Sequence, residues 1–227
     1  MDTLAHIKKK WGLRYLVDQP IQLPIDRLHG LYGLFKELGF TVGAEIGVQR
    51  GHNAKWMCCS NRKLKLYCID PWQWYEDYVD YGENSNQELY DEFFAHAQER
   101  LKPFNVEFIR KFSMDAVDDF EDESLDFVYI DGNNQFEYVI EDVAKWERKV
   151  KKGGIVAGHD YRNSVDRKRK DEEGNRYTPK FSPYQRLKLI QVKTAMDAWC
   201  FANRIKPWFI TTATSDDSSP SWFYVKQ

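Results

Sequence analysis

Apolar positions along the chain form short continuous runs, separated by segments with helical spacing. The first long pattern starts at Asp26, whose side chain suits a helix N-cap, and ends at Gly39. Apolar runs of about four to eight residues bounded by polar turns are typical of buried strands. Five such runs follow, at 41–48, 64–69, 106–109, 126–130 and 154–158.

The clearest helix between these strands has one apolar face. That face consists of Phe136, Val139, Ile140, Val143, Trp146 and Val150. A basic turn and the glycines at 153 and 154 follow, and we expect them to end the helix. Strands that alternate with helices predict a parallel sheet with right-handed crossovers and helices on both faces.

The last part of the chain does not continue this alternation of strands and helices. After a helix around 192–199, the sequence predicts two short strands at 208–212 and 222–225, joined by a turn-rich stretch at 215–220. So short a link permits only antiparallel pairing. We therefore expect an α/β fold with a doubly wound, Rossmann-like sheet of seven strands, mostly parallel, with an antiparallel C-terminal hairpin.

Length and composition limit the number of domains and the classes of function that the chain can have. A chain of 227 residues suits one domain, 1–227, in which residues 1–40 form an N-terminal helical extension. The net charge of -2 gives no overall basic surface and argues against nucleic acid as the partner. We expect no membrane span, and four cysteines without a C-x-x-C pair suggest reduced thiols and a cytoplasmic location. The oligomeric state stays open, a homodimer included.

A glycine-containing loop at 45–51 follows the first strand. Its spacing differs from the G-x-G-x-x-G of dinucleotide enzymes, because Gln49 stands where their second glycine belongs. This difference makes a nicotinamide-dependent oxidoreductase the weaker interpretation. Glu45 would place negative charge near a cationic ligand, with Asn53 as a further contact, although an ordinary strand-to-helix turn remains the alternative.

The next two strand ends carry residues suited to a nucleoside. Asp70 follows the second strand about twenty residues after the loop, where a carboxylate can accept hydrogen bonds from ribose hydroxyls. Ser113 and Met114 follow the third strand and could contact an adenine edge and face. The alternatives are structural: Asp70 and Ser113 would then only cap the segments that follow them.

Polar residues also follow the fourth and fifth strands. Asp131 ends one of them, and His159 and Asp160 end the other. Ligands of doubly wound sheets bind beyond these carboxyl ends, so we expect the three side chains to meet beside the ligand. Two carboxylates and an imidazole could either hold an ion such as Mg²⁺ or deprotonate a hydroxyl.

With these residues placed, the sequence resembles the class I S-adenosylmethionine-dependent methyltransferases. It is most similar to the branch with glycan and natural-product sugar O-methyltransferases, whose motif runs roughly I-D-G-x-H-x-Y, then K-x-G-G-x-x-x-G-H-D-Y. The matching segments are 129–136 (YIDGNNQF) and 152–161 (KGGIVAGHDY). The resemblance extends over 42–161.

The resemblance implies S-adenosylmethionine as the cofactor and a cofactor loop built on Glu45, Gly47 and Gly51. It also implies ribose contact at Asp70, adenine contact near Ser113, and allows a divalent metal, Mg²⁺, at Asp131 and Asp160. Two positions depart from the motif: Asn134 replaces its His and Phe136 replaces its Tyr. His159 is then the best remaining base, although a purely structural role for it is the alternative, and Asp160 is the second candidate catalytic residue.

Two charged segments follow strand ends on the same side. Residues 76–92 contain seven acidic and no basic residues, and residues 162–180 contain seven basic and four acidic ones. Both segments could be ordinary solvated loops. Alternatively, they could pair by opposite charge and form a lid over the ligand, in which 162–187 is the substrate loop. Such a lid would be lined by Trp72, Trp74 and Tyr75.

The leading hypothesis is O-methylation of a small-molecule or carbohydrate acceptor. A nucleic-acid methyltransferase that uses the basic segment is one alternative. A relative that binds the cofactor without catalysis is another, and the loss of the motif His at Asn134 is its main support.

Overall fold

Eight strands form the central sheet. The computed structural model describes residues 2–13, 19–75, 86–164, 190–215 and 217–227, together with the backbone of two short strands, Arg169–Lys170 (β7) and Arg176–Tyr177 (β8). The strands of the sheet are Ile21–Gln22 (β1), Val42–Ile46 (β2), Lys65–Ile69 (β3), Val106–Ile109 (β4), Leu125–Ile130 (β5), Val150–Gly158 (β6), Trp208–Ile210 (β9) and Trp222–Val225 (β10).

Seven α-helices connect and cover these strands in the described part of the chain. They are Thr3–Lys10 (α1), Tyr32–Glu37 (α2), His52–Ser60 (α3), Gln87–Leu101 (α4), Ser113–Ala116 (α5), Phe136–Lys149 (α6) and Val192–Ala202 (α7). A π-helical turn, Arg27–Leu31, precedes α2. Asp26 caps this turn as predicted, since its carboxylate accepts a hydrogen bond from the backbone N–H of His29 at 2.6 Å.

The strand order is β1-β9-β10-β6-β5-β2-β3-β4, and β7 and β8 pair separately and antiparallel. Strands β2 to β6 pair in parallel, whereas β10 is antiparallel to both β6 and β9. The predicted doubly wound α/β fold with an antiparallel C-terminal hairpin is confirmed. The sheet has one strand more than the seven expected, because the two residues of β1 are too few to form a sequence pattern and pair only with β9.

The boundary between α6 and β6 differs from the expectation. The helix ends at Lys149 and the strand begins at once at Val150, which pairs with Leu125. Gly153 and Gly154 therefore lie inside β6 and do not end the helix. Gly154 is needed where the strands approach, because a Cβ there would overlap the side chain of Val150 and backbone carbonyl oxygens.

Successive residues of β5 point into two separate cores. Phe127 packs toward α2, and its ring stacks on Phe35 at 4.4 Å between centroids. Val128 faces the opposite core, under α6 and α7. Full burial of such a side chain stabilises the fold by roughly 1.5–3 kcal/mol. The two cores hold the carboxyl ends of the parallel strands in fixed positions.

We find no helix in the described ranges with the length and apolar content needed to cross a membrane.

Candidate functional site

A cavity of about 680 Å³ opens at the carboxyl ends of β2 to β6. The chain runs from β2 outward to β3 and β4, then returns to the other side of β2 for β5 and β6. The strand order therefore reverses between β2 and β5, and this is where doubly wound sheets bind ligands. Gly47 follows β2 and Asp131 follows β5, so both line the cavity at the reversal.

Gly47 allows these two strand ends to approach closely. It has a φ of 85°, and a Cβ at this position would overlap the backbone carbonyl of Asp131. Gly51 has a different role, because it does not line the cavity. It precedes α3 and packs against α4, where a Cβ would lie 3.3 Å from Cα of Ala97.

Glu45 lies behind the cavity wall. Its side chain is fully buried, and Oε1 accepts a hydrogen bond of 2.7 Å from Nδ2 of Asn53, which does line the cavity. Burial raises the pKa of Glu45 to about 8, although the bond from Asn53 opposes the shift. Glu45 can therefore act on a ligand only through Asn53, whose side-chain oxygen accepts a further hydrogen bond from the hydroxyl of Tyr32.

Asp70 lines the cavity and also shapes the glycine loop. Its Oδ2 accepts hydrogen bonds from the backbone N–H groups of Val48 and Gln49 at 3.0 and 2.9 Å. Its Oδ1 accepts one from Trp72 at 2.7 Å. A carboxylate offers about four lone-pair sites, so three backbone donors leave room for about one ribose hydroxyl. Ribose contact at Asp70 stays a prediction.

Ser113 and Met114 both line the cavity at the end of β4. The hydroxyl of Ser113 donates a hydrogen bond to Oδ1 of Asp142 and accepts one of 2.8 Å from Nε1 of Trp146. Asp142 lies on α6 and also lines the cavity. Burial raises its pKa to about 7. Ser113 is thus part of a hydrogen-bonded group that sequence reasoning did not identify.

His159 lies in a cluster of charged side chains beyond β5 and β6. Its Nε2 is 2.9 Å from Oδ1 of Asp217. Its Nδ1 is 3.6 Å from Oδ1 of Asp131 and 3.8 Å from Oδ1 of Asp160. Burial alone would lower the pKa of His159, but Asp131 and Asp217 raise it to about 9. A pKa of this size favours the imidazolium form of His159 at neutral pH, and an imidazolium has no lone pair with which to accept a proton.

Two arginines complete the charged cluster. Nε of Arg27 lies 2.9 Å from Oδ2 of Asp217, and its Nη1 lies 3.8 Å from Oδ2 of Asp131. Nε of Arg162 lies 3.0 Å from Oδ1 of Asp160. Burial would raise the pKa of Asp160, but the charge of His159 and the hydrogen bond from Arg162 lower it.

The arrangement does not fit the magnesium site that the resemblance allows at Asp131 and Asp160. Both carboxylates face cations of the protein, and Nδ2 of Asn134 donates a hydrogen bond of 3.2 Å to Oδ2 of Asp160. Within the described ranges, no group of three or more His, Cys, Asp or Glu side chains could hold a metal ion.

Aromatic side chains line the mouth of the cavity. Trp56, Phe112 and Tyr138 are 44%, 36% and 36% exposed. Trp72 also lines the cavity but is buried against Phe94, so it is not free to cover a ligand. Most of the hypothetical lid, residues 76–85 and nearly all of 165–189, lies outside the described residues.

Three charged residues of the site were missed by sequence reasoning. Asp142 leaves a signal, since it is a carboxylate on the apolar face of α6 between Val139 and Trp146. Arg27 and Asp217 leave none, because they lie 190 positions apart in the chain and meet only in the folded protein.

A family model described as a methyltransferase domain matches residues 44–161, which are 118 of the 227 residues. The match includes the glycine loop, Asp70, Ser113, Asp131 and the pair His159 and Asp160. The chain belongs to this methyltransferase family. This membership confirms the methyltransferase resemblance and the cofactor, S-adenosylmethionine.

One curated relative of this methyltransferase is the uncharacterized protein y4gI of Sinorhizobium fredii. It is 29% identical over 120 residues, which are 51% of this chain and 12% of that protein. The matched segment is therefore a small part of a much longer relative.

Solved structures share the fold of the methyltransferase. An O-methyltransferase from Bacillus cereus in complex with S-adenosylhomocysteine has a TM-score of 0.58 at 13% identity, over 100% of this chain and 91% of that chain. The O-methyltransferase TomG from Streptomyces achromogenes, in complex with S-adenosylmethionine, has a TM-score of 0.53 at 16% identity, with the same coverage. An rRNA methylase from Streptococcus thermophilus has a TM-score of 0.55 at 11% identity, over 90% of this chain and 100% of that chain.

Proposed function

We propose that this methyltransferase transfers a methyl group from S-adenosylmethionine to a hydroxyl oxygen of a small-molecule acceptor, most suitably a sugar. The observation that carries the proposal is the position of the Asp160 carboxylate, which lines the same cavity as the glycine loop. An ionised carboxylate at this place can accept the proton of a hydroxyl held in the cavity.

Each part of the cofactor has a suitable surface in the cavity. Gly47 and Asn53 would contact its amino-acid end, with Asp131 close by at the strand reversal. The free lone pair of Asp70 would accept a hydrogen bond from the ribose, and Met114 would contact the adenine face. When bound, S-adenosylmethionine supplies an electrophilic methyl group on a sulfonium. The site contributes mainly by holding the acceptor oxygen in line with that group.

We assign proton acceptance to Asp160 and orientation to His159. The imidazolium of His159 lies within 4 Å of the carboxylates of both Asp131 and Asp160, so its charge holds them in place. Asp160 would take the proton of the acceptor hydroxyl, while the sulfonium of the bound cofactor would give up its methyl group and leave as the neutral thioether S-adenosylhomocysteine. Asn134, in place of the motif His, donates its hydrogen bond to Asp160 and leaves lone pairs on that carboxylate for the acceptor.

The aromatic mouth supports a sugar acceptor. Trp56 is 44% exposed and lines the cavity, and the ring of His29 meets it edge-on at 5.4 Å between centroids. A large and rigid apolar surface of this kind can pack against the apolar face of a sugar ring, while the charged cluster binds its hydroxyls.

Transfer of a radiolabelled methyl group tests this function. The protein is incubated with labelled S-adenosylmethionine and a panel of sugars, phenols and RNA, and we expect label in the sugars. Label only in RNA would support the nucleic-acid alternative instead. Cofactor binding without transfer to any acceptor would support a non-catalytic relative.

A further inference from the structure

Asp142 is a buried carboxyl group on the cavity wall without a role in the methyl transfer derived above. It is 5% exposed, and among the described residues only Ser113 hydrogen bonds to it, through Oδ1. Its Oδ2 lies 3.7 Å from the point where a Cβ on Gly132 would stand, so this oxygen faces the loop after β5. No described residue donates a hydrogen bond to this oxygen, and Asp142 lines the cavity, so a ligand or water there can supply the donor.

The surroundings of Asp142 suit a flat aromatic ring. Tyr138 lies one helical turn before it on α6. Phe112 directly precedes Ser113, and the ring of Tyr75 meets that of Phe112 edge-on at 5.3 Å. All three aromatic residues line the cavity. Asp142 therefore lies beside a slot of ring-sized apolar surfaces.

Ser113 cannot donate a hydrogen bond to a base in this arrangement. A hydroxyl has one hydrogen, and that of Ser113 goes to Asp142. Nε1 of Trp146 donates to the same hydroxyl and fixes its orientation. The two partners leave Ser113 as a support that holds the Asp142 carboxyl in place.

We propose that Oδ2 of Asp142 accepts a hydrogen bond from the exocyclic amino group of the cofactor's adenine and makes the site selective for adenine. This inference rests on the proposed placement of the cofactor, since it requires the adenosyl group between Asp70 and Ser113. A carboxylate accepts from an amino group and repels a carbonyl oxygen, so hypoxanthine is disfavoured at this position. Because burial raises the pKa of Asp142 to about 7, the carboxyl group is fully ionised, and so disfavours a carbonyl oxygen, only above that pH.

Calorimetric titration with two ligands tests the selectivity. S-adenosylhomocysteine carries the amino group, and S-inosylhomocysteine carries a carbonyl oxygen in its place. At about pH 9, where Asp142 is ionised, we expect the wild type to bind the adenosyl ligand at least about tenfold more tightly. In Asp142→Asn the side-chain amide can donate to the carbonyl as well as accept from the amino group, so the preference should fall to about threefold or less.

Glu137→Gln is the matched control, because Glu137 is an exposed carboxylate on the same helix and does not line the cavity. It should keep the wild-type preference. Equal affinity of the wild type for both ligands would overturn the role of Asp142 and leave the cofactor site intact. An unchanged preference in Asp142→Asn would do the same. The comparison of the two ligands on the wild type does not depend on whether the variants fold. Failure of the wild type to bind either ligand would overturn the cofactor placement itself.

Discussion

Nε2 of His159 lies 2.9 Å from Oδ1 of Asp217, which joins the end of β6 to the loop between β9 and β10. Asp217 is 7% exposed and also meets Arg27 from the N-terminal segment. One buried carboxylate thus connects Arg27, from an early segment of the chain, to His159 at the end of β6. Together with Asp131, it raises the pKa of His159, and the proposed mechanism therefore leaves proton acceptance to Asp160.

The protonation of His159 can be measured directly. Because Asp131 and Asp217 raise its pKa from 6.5 to about 9, we expect NMR titration to show an imidazolium up to about pH 9. The stabilisation from this group is complete below the unfolded pKa and is lost as the pH rises through the folded pKa. Asp217→Asn should lower the pKa by at least about one unit.

Asp122→Asn serves as the control for the His159 titration, since Asp122 forms an exposed ion pair with Lys149 away from the cavity. It should leave the titration unchanged. If the imidazole of the wild type instead titrates near its ordinary pKa of 6.5, His159 is again a candidate for the base.

Asp160→Asn tests the proposed proton acceptor. The amide keeps the shape of the side chain but cannot take a proton, so we expect kcat to fall at least about 100-fold. The affinity for S-adenosylhomocysteine, measured by calorimetry, should stay within about threefold, because we place Asp160 on the acceptor side. A fully active Asp160→Asn enzyme would remove Asp160 from the chemistry.

Glu45→Gln tests the buried carboxyl behind Asn53. Since burial raises the pKa of Glu45 from 4.5 to about 8, the unfolded chain ionises it first, and the free energy of unfolding falls as the pH rises across this range. Glutamine still accepts the hydrogen bond from Asn53 and does not titrate. We therefore expect Glu45→Gln to be at least about 1 kcal/mol more stable than the wild type at about pH 9.

Urea denaturation at about pH 5 and about pH 9 measures this difference. Glu121→Gln, at an exposed position, should follow the wild type at both values. A parallel pH dependence in Glu45→Gln and the wild type would show that Glu45 is ionised in the folded protein.

Trp56→Ala tests the aromatic mouth. Loss of the exposed indole should raise the KM for the sugar acceptor about tenfold, which corresponds to ~1.4 kcal/mol of binding, with little change in cofactor affinity. Phe201→Ala is the control, because Phe201 is 85% exposed on α7 and does not line the cavity. An unchanged KM in Trp56→Ala would show that the acceptor does not bind against the indole of Trp56.

Some features of the site leave a local pattern in the sequence. The apolar runs predict β2 to β6, and polar residues that directly follow a strand mark Asp70, Asp131 and Asp160 as cavity residues. The position of other residues could not be predicted, because it depends on contacts between distant segments. Glu45 belongs to the cofactor-loop motif, yet in the structure it lies behind Asn53, because its side chain points from β2 into the interior.

By itself, the sequence determined the alternation of strands and helices, the glycine loop and the order in which polar residues follow the strands, because each depends on neighbouring positions. Only the tertiary structure decided the ionisation of His159 and the connection of Ser113 to Asp142. Electrostatic energy depends on distance in space and on burial, and the carboxylates that raise the pKa of His159, Asp131 and Asp217, lie 28 and 58 positions away from it in the chain.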